Sequence, residues 1–160
     1  WASGRGLGSI YGVTGEAISD VKPSSCNMGV WWDGDTLREL LDHTTVSKWN
    51  WLDATETTLL AAADYGCVSN NGTKGNPCLV ADILGDWREE IIWGTEDNSE
   101  LRIFTSTEPT DRRFVTLMHD PVYRLSVAWQ NVAYNQPTQV GFYMGADMPT
   151  PPRPEVRLAP

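Results

Sequence analysis

The sequence predicts an all-β fold built from blade-like repeats, and three observations carry that prediction. Its apolar runs are short and rich in Val, Ile, Trp, Tyr and Thr. Gly and Asp break those runs at close intervals. A stretch of about fifty residues then recurs. Gly34-Asp35-Thr36-Leu37-Arg38-Glu39-Leu40-Leu41 and Gly85-Asp86-Trp87-Arg88-Glu89-Glu90-Ile91-Ile92 both read Gly-Asp, three residues, Glu and two aliphatics. Asp35 and Asp86 lie 51 positions apart, as do Glu39 and Glu90.

Each copy supplies four candidate strands. The first set is Met28–Trp32, Arg38–His43, Val46–Leu52 and Thr58–Ala63; the second is Cys78–Asp82, Glu89–Gly94, Glu100–Thr105 and Val122–Trp129. Four strands per repeat of about fifty residues is the signature of a β-propeller blade. Residues 9–18 fit a hairpin that finishes an earlier blade. Leu37–Leu41 and Thr57–Ala63 also read as helix, but Gly and Asp crowd both places and neither has a long helical period. The chain thus holds roughly two blades and part of a preceding one. Two blades cannot close a ring of about four to eight, so upstream blades are the expected partner. A compact all-β domain complete in itself is the alternative. Residues 1–148 are read as propeller and 149–160 as a Pro-rich linker or tail. A start without Met and a linker-like end suggest a segment of a longer, modular polypeptide.

Composition narrows the partners. Lys and Arg number 12 against 21 Asp and Glu, a net charge of -9, and no basic stripe offsets it. That argues against nucleic acid. No apolar run is long enough to span a bilayer, so a membrane is not expected either. Eight Trp and five Tyr fill cores first, but also suit carbohydrate clefts. Three cysteines leave an odd count; Cys67 and Cys78 bracket a loop that a disulfide could close, with Cys26 left over.

The loop Asp82-Ile83-Leu84-Gly85-Asp86-Trp87-Arg88-Glu89-Glu90 spaces Asp82, Asp86 and Glu90 as oxygen ligands round one point, which suits Ca2+. It departs from a calcium loop at Leu84, where an oxygen ligand is expected, and at Trp87, where Gly is expected. A turn rich in Asp that caps a hairpin is the plainer reading. The first copy lacks the leading acid, since Trp31 stands there, and leaves Asp33, Asp35 and Glu39 as a weaker candidate.

Three stretches go beyond pattern. They are Trp31-Trp32-Asp33-Gly34-Asp35-Thr36-Leu37-Arg38-Glu39, then Ser69-Asn70-Asn71-Gly72-Thr73-Lys74, then His119-Asp120-Pro121-Val122-Tyr123-Arg124 running on to Ala128–Pro137. With the loop at Ala81–Glu90, they resemble the C-terminal part of the rhamnogalacturonan lyases of polysaccharide lyase family 11. The resemblance covers nearly all of Trp1 to Met148. It implies an eight-bladed propeller with structural calcium ions. It also implies a secreted enzyme that cleaves rhamnose–galacturonate bonds of rhamnogalacturonan I, an acidic pectic polysaccharide, by β-elimination. A cleft loop reading Asn-Gly-Thr-Lys in the family matches Asn71, Gly72, Thr73 and Lys74. A facing Asn-x-Ala-Tyr segment matches Asn131, Ala133 and Tyr134. The resemblance gives Lys74 and Tyr134 catalytic roles and the neighbours contact with sugar. An Arg of the family's site lies further upstream, outside this chain.

The residue types suit that chemistry. Removing the proton alpha to a uronate carboxylate needs a base, and the developing negative charge needs a cation close by. Lys74 or calcium can neutralise the carboxylate, and Tyr134 can move a proton although its reference pKa is about 10. Which of the two is base stays open at this point. Asn71-Gly72-Thr73 is also a glycosylation sequon, expected to be unused because a glycan would block the cleft. His119 is read as a turn histidine. The competing function is a non-catalytic, calcium-stabilised propeller module that binds sugar or only completes a ring.

Overall fold

A computed structural model describes residues 9–132, 136–151, 153 and 154. Strand β1 (Ile10–Tyr11) pairs with β2 (Ala17–Ser19) as the hairpin expected near the start. Strands β3 (Met28–Val30), β4 (Glu39–Asp42), β5 (Thr45–Asn50) and β6 (Thr55–Ala61) follow as an antiparallel meander. The register pairs Val30 with Glu39, Leu40 with Ser47, and Lys48 with Thr57. Leu41 and Val46 therefore face one side as a cross-strand pair, fully buried. The two helical alternatives give way to strands β4 and β6, with one 3₁₀ turn at Ala62–Tyr65 closing on Gly66.

The second sheet has three strand lines. Strands β7 (Cys67–Val68) and β8 (Leu79–Ala81) lie along the same edge of β9 (Glu90–Thr95), and β10 (Leu101–Phe104) pairs with its other edge. Cys67 lies opposite Thr95 and Leu79 opposite Ile92, so residues 69–78 leave the strand line as an excursion. Cys67 and Cys78 keep free thiols, and Cys26 is exposed.

The fourth strand expected over Val122–Trp129 is instead a helix, α1 (Pro121–Trp129). Its start explains the difference. Asp120 accepts the Val122 N–H at 2.9 Å, and Pro121 occupies the first helical turn, where no N–H is required. The run of Val, Tyr, Leu, Val and Trp looks strand-like, but the sheltered positions Tyr123, Ser126, Val127 and Gln130 have helical spacing. The sheets are all antiparallel, and the all-β expectation holds among the described residues except for this α-helix. No helix among the described residues is long and apolar enough to cross a membrane.

Two cores result. Met28, Val30, Trp32, Leu41 and Val46 of the first sheet pack against Cys67, Val80, Ile91 and Trp93 of the second. Trp31, Trp87, Leu117 and Tyr123 form the other, under α1. The two sheets are also stitched by backbone and ring donors. Glu89 N–H donates to Trp31 O at 2.8 Å, and Trp93 Nε1 donates to His43 O at 3.0 Å.

Helix α1 holds the open edge of β8 through a side-chain amide. Gln130, buried, accepts from Val80 N at 2.8 Å and donates to Val80 O at 3.0 Å, as a neighbouring strand would. Gln130→Leu keeps the volume but strands both Val80 groups. We expect a loss of roughly 2 kcal/mol in urea denaturation with an unchanged slope. A loss below about 0.5 kcal/mol would show that the edge is satisfied some other way.

Candidate functional site

The excursion between β7 and β8 carries the Asn-Gly-Thr-Lys segment. Its neck is closed by Asn70, whose N–H donates to Asn76 O and whose Nδ2 donates to Pro77 O, each at 2.8 Å. Within it, Asn71 Oδ1 accepts the Lys74 N–H at 2.8 Å, so the Asn side chain shapes the turn that presents Lys74. Asn71, Gly72, Thr73 and Lys74 are exposed. Gly75 is buried against His43, and a Cβ there would overlap the imidazole ring. Asn27 Nδ2 and His43 N–H both donate to Gly75 O, at 2.5 and 3.2 Å. The loop is thereby fastened to the first sheet.

A chain of side-chain amides then carries the loop to the end of α1. Asn71 Nδ2 donates to Asn76 Oδ1 at 2.7 Å, Asn76 Nδ2 donates to Asn131 Oδ1, and Asn131 Nδ2 donates to Cys78 O at 2.8 Å. The Asn71–Lys74 segment and Asn131, both singled out in the sequence, are thus brought together. Ala133 and Tyr134 lie outside the described residues. Asn76 is the residue that sequence reasoning missed. Its partners are 5 and 55 positions away, so no local pattern marks it.

The two repeated acidic loops share one hydrogen-bond pattern. Glu39 Oε2 accepts from Trp32 N at 2.8 Å and from Asp33 N at 3.4 Å. Glu90 Oε2 accepts from Ile83 N and Leu84 N, both at 2.9 Å. Asp35 Oδ1 takes Leu37 N at 2.7 Å, and Asp86 Oδ1 takes Arg88 N at 3.1 Å. The loops differ in what faces the remaining carboxylate oxygens. In the first, Lys48 Nζ sits 2.6 Å from Asp33, 2.6 Å from Asp35 and 2.8 Å from Glu39. In the second, Thr105 Oγ1 donates to Glu90 Oε1 at 3.1 Å, and Arg88 holds Asp86 Oδ2 at 2.5 Å. Asp82 is buried there. Its Oδ2 accepts from Thr116 Oγ1 and Leu117 N, both at 2.7 Å, while its Oδ1 has no hydrogen-bond partner. Among the described residues, the three carboxylates whose oxygens gather within 4.8 Å of one another are Asp33, Asp35 and Glu39.

A family model described as "Rhamnogalacturonan lyase family 11, C-terminal domain" matches residues 1–154. The chain belongs to this family. It is 51% identical over 156 residues to the rhamnogalacturonan endolyase YesW of Bacillus subtilis (strain 168), covering 98% of this chain and 24% of that protein. It is 52% identical over 163 residues to the rhamnogalacturonan exolyase YesX of the same organism, covering 95% of this chain and 26% of that protein. The crystal structure of YesW superposes with a TM-score of 0.88 over 95% of this chain and 26% of that one, at 51% identity. The Bacillus licheniformis rhamnogalacturonan lyase PL11 gives 0.89 at 54% identity, over 94% of this chain and 26% of that one. This family 11 chain therefore spans about a quarter of the length of the curated relatives it matches.

Electrostatics in this family member centre on its buried carboxylates. Burial pushes the Glu39 carboxyl up to about 7, against the hydrogen bond from Lys48. Burial alone would depress Lys48, but its hydrogen bonds to Asp33, Asp35 and Glu39 together hold its ammonium above the ordinary lysine range. Lys48 too went unremarked in the sequence. The signal was available, because alternation along β4 and β5 sets Lys48 across from Glu39.

The sign of the pH dependence follows. Glu39 has its folded pKa raised from 4.5, so its share of stability is full below 4.5 and is lost as pH rises through about 7. Lys48, also raised, keeps its share throughout that window. Lys48→Met removes what opposes the rise in Glu39 and leaves three carboxylates facing one another. In calcium-free buffer it should cost roughly 2 kcal/mol at pH 8 and distinctly less at pH 5. A loss equal at both pH values, measured by urea denaturation, would refute this account of the cluster.

Proposed function

We propose that this chain is the C-terminal portion of a secreted rhamnogalacturonan lyase whose catalytic domain is an eight-bladed β-propeller. In this reading its two sheets are blades that adjoin upstream blades of the same ring. The substrate is rhamnogalacturonan I, cut by β-elimination between rhamnose and galacturonate. The relatives' activities support the reaction class. The observation that carries the reading to this chain's residues is the amide path from Asn71 through Asn76 to Asn131. It ties the loop presenting Lys74 to the segment that leads to Tyr134.

The step removes the proton alpha to the uronate carboxylate. Its electron pair forms the new carbon–carbon double bond, the bond to the leaving oxygen breaks, and that oxygen takes up a proton. Lys74 and Tyr134 serve as the proton-transferring pair, with the Lys74 side chain also close to the substrate carboxylate. Asn71, Gly72, Thr73, Asn131 and Ala133 bind the sugar around them. Orientation is the task of the amide path, since a loop held by neutral side-chain bonds keeps its place when the anionic polymer binds. A structural calcium at the Asp82–Glu90 loop would be held by Asp82, Asp86 and Glu90. Their oxygens would have to draw together around it, since among the described residues those that gather within 4.8 Å of one another belong to Asp33, Asp35 and Glu39. The feature that favours a cation there is the buried, unpartnered Asp82 Oδ1. When bound, the ion would neutralise the carboxylates of that loop. Secretion fits an acidic protein acting on a wall polymer.

The test is absorbance near 235 nm, the band of the unsaturated uronate, with the full-length polypeptide and rhamnogalacturonan I. Lys74→Ala and Tyr134→Phe should each lower kcat by about 100-fold or more. Asn76→Ala should lower it less while leaving the melting temperature within a few degrees. No rise in absorbance from the folded full-length protein would leave a sugar-binding propeller without chemistry as the better account.

A further inference from the structure

The resemblance to family 11 leads one to expect calcium at the acidic loops, and the first loop departs from that expectation in a specific way. Asp33, Asp35 and Glu39 gather as a divalent cation would require. The position at their centre is taken by a side chain of the same protein. Lys48 Nζ lies 2.6 to 2.8 Å from one oxygen of each. We propose that the Lys48 ammonium is the resident cation of the first repeat, filling the seat formed by Asp33, Asp35 and Glu39, so that this repeat keeps its shape without a metal ion.

Three observations support this. The seat is not sealed from solvent. A cavity of about 450 Å³ opens onto it, lined by Trp32, Asp33, Asp35, Leu60 and Thr105 among others. An ion from solution can reach Asp33 and Asp35 from this cavity, while Glu39 lies buried behind them. The second repeat supplies the internal comparison. The register that pairs Ile91 with Phe104 sets Thr105 across from Glu90, the position Lys48 holds opposite Glu39. There a neutral hydroxyl makes the bond, and a buried carboxylate oxygen of the same loop, Asp82 Oδ1, is left unpartnered. Finally, the donor count matches: Lys48 presents three donors on one compact head, one for each carboxylate, and its single charge offsets part of theirs. A tethered cation lacks the dissociation equilibrium of a metal, so the loop's order does not depend on calcium supply.

The proposal stands whether or not the chain is part of a lyase, because it is read from ion occupancy and melting. The full-length protein and a Lys48→Thr variant, which copies the second repeat, would be crystallised and soaked in terbium. Their melting temperatures would be taken in chelator and in millimolar calcium. We expect no anomalous peak among Asp33, Asp35 and Glu39 in the wild type and a clear peak there in Lys48→Thr. Calcium should also raise the melting temperature of Lys48→Thr by about 5 °C more than it raises that of the wild type. An ion among the three carboxylates of the wild type would overturn the proposal. So would a folded Lys48→Thr that takes no ion at saturating terbium and gains no more from calcium than the wild type. A variant that folds only with calcium would support it. If the variant folds under neither condition, the wild-type soak decides, an empty seat supporting the proposal and an occupied one overturning it.

Discussion

One buried carboxylate holds the pieces of this structure in register. Glu89 is 1% exposed and sits where the two sheets and α1 meet. Its Oε2 accepts the Trp31 N–H of the first sheet at 2.9 Å. Its Oε1 accepts from Tyr123 Oη of α1 at 2.8 Å and from Thr138 Oγ1. Burial drives the carboxyl up, and the nearby Arg38 guanidinium, stacked 3.8 Å over the Trp31 ring, works against that. Such a group is costly unless every lone pair is used, and the demand fixes geometry. Tyr123 must point its hydroxyl inward, which sets the face α1 presents. It also accepts the Asp82 N–H at 2.8 Å, which ties the start of the second loop to the same centre. Gln130 on that helix then meets β8, and Asn131 follows it to the amide path. The candidate site is placed by a chain of satisfied polar groups that begins at Glu89.

Glu89 and Glu90 are neighbours on adjacent positions and do opposite work. Glu90 folds back on its own loop through Ile83 and Leu84, as Glu39 does in the first repeat through Trp32 and Asp33. Glu89 reaches across to the other sheet. The residue matching Glu89 in the first repeat is Arg38, which turns its charge toward that same centre. The repeats have thus diverged into complementary halves. One gives the acid and the other the base at the junction, while the Gly-Asp-x-x-x-Glu frame is kept in both.

That frame was legible in the sequence because it is local. The spacing of Asp and Glu fixes which backbone N–H groups each carboxylate can reach, and the structure repeats those bonds 51 residues apart. Strand positions were legible for the same reason, since short runs rich in Leu, Ile, Val and Trp between turn residues, as in β4, β5 and β9, show in any short window. The helix over Pro121–Trp129 was misread because its residues are β-formers by composition. Only Asp120-Pro121 announced it, through a capping bond that outweighs the weak propensity of the run. Asn76 was out of reach altogether. Its role exists only once α1 has brought Asn131 beside the loop.

The path that steadies the loop is built of neutral amides, and this has a consequence for a protein of this charge. At -9, long-range fields act on every exposed charged side chain, and a loop tied by ion pairs would shift with salt and pH. Asn71, Asn76 and Asn131 do not titrate, and their bonds run between side-chain amides and a backbone carbonyl. The charged cluster, by contrast, is kept in the first repeat, where Lys48 offsets part of its negative charge. Separating the two leaves Lys74 presented by a frame in which Asn71, Asn76 and Asn131 carry no charge to respond to salt or pH.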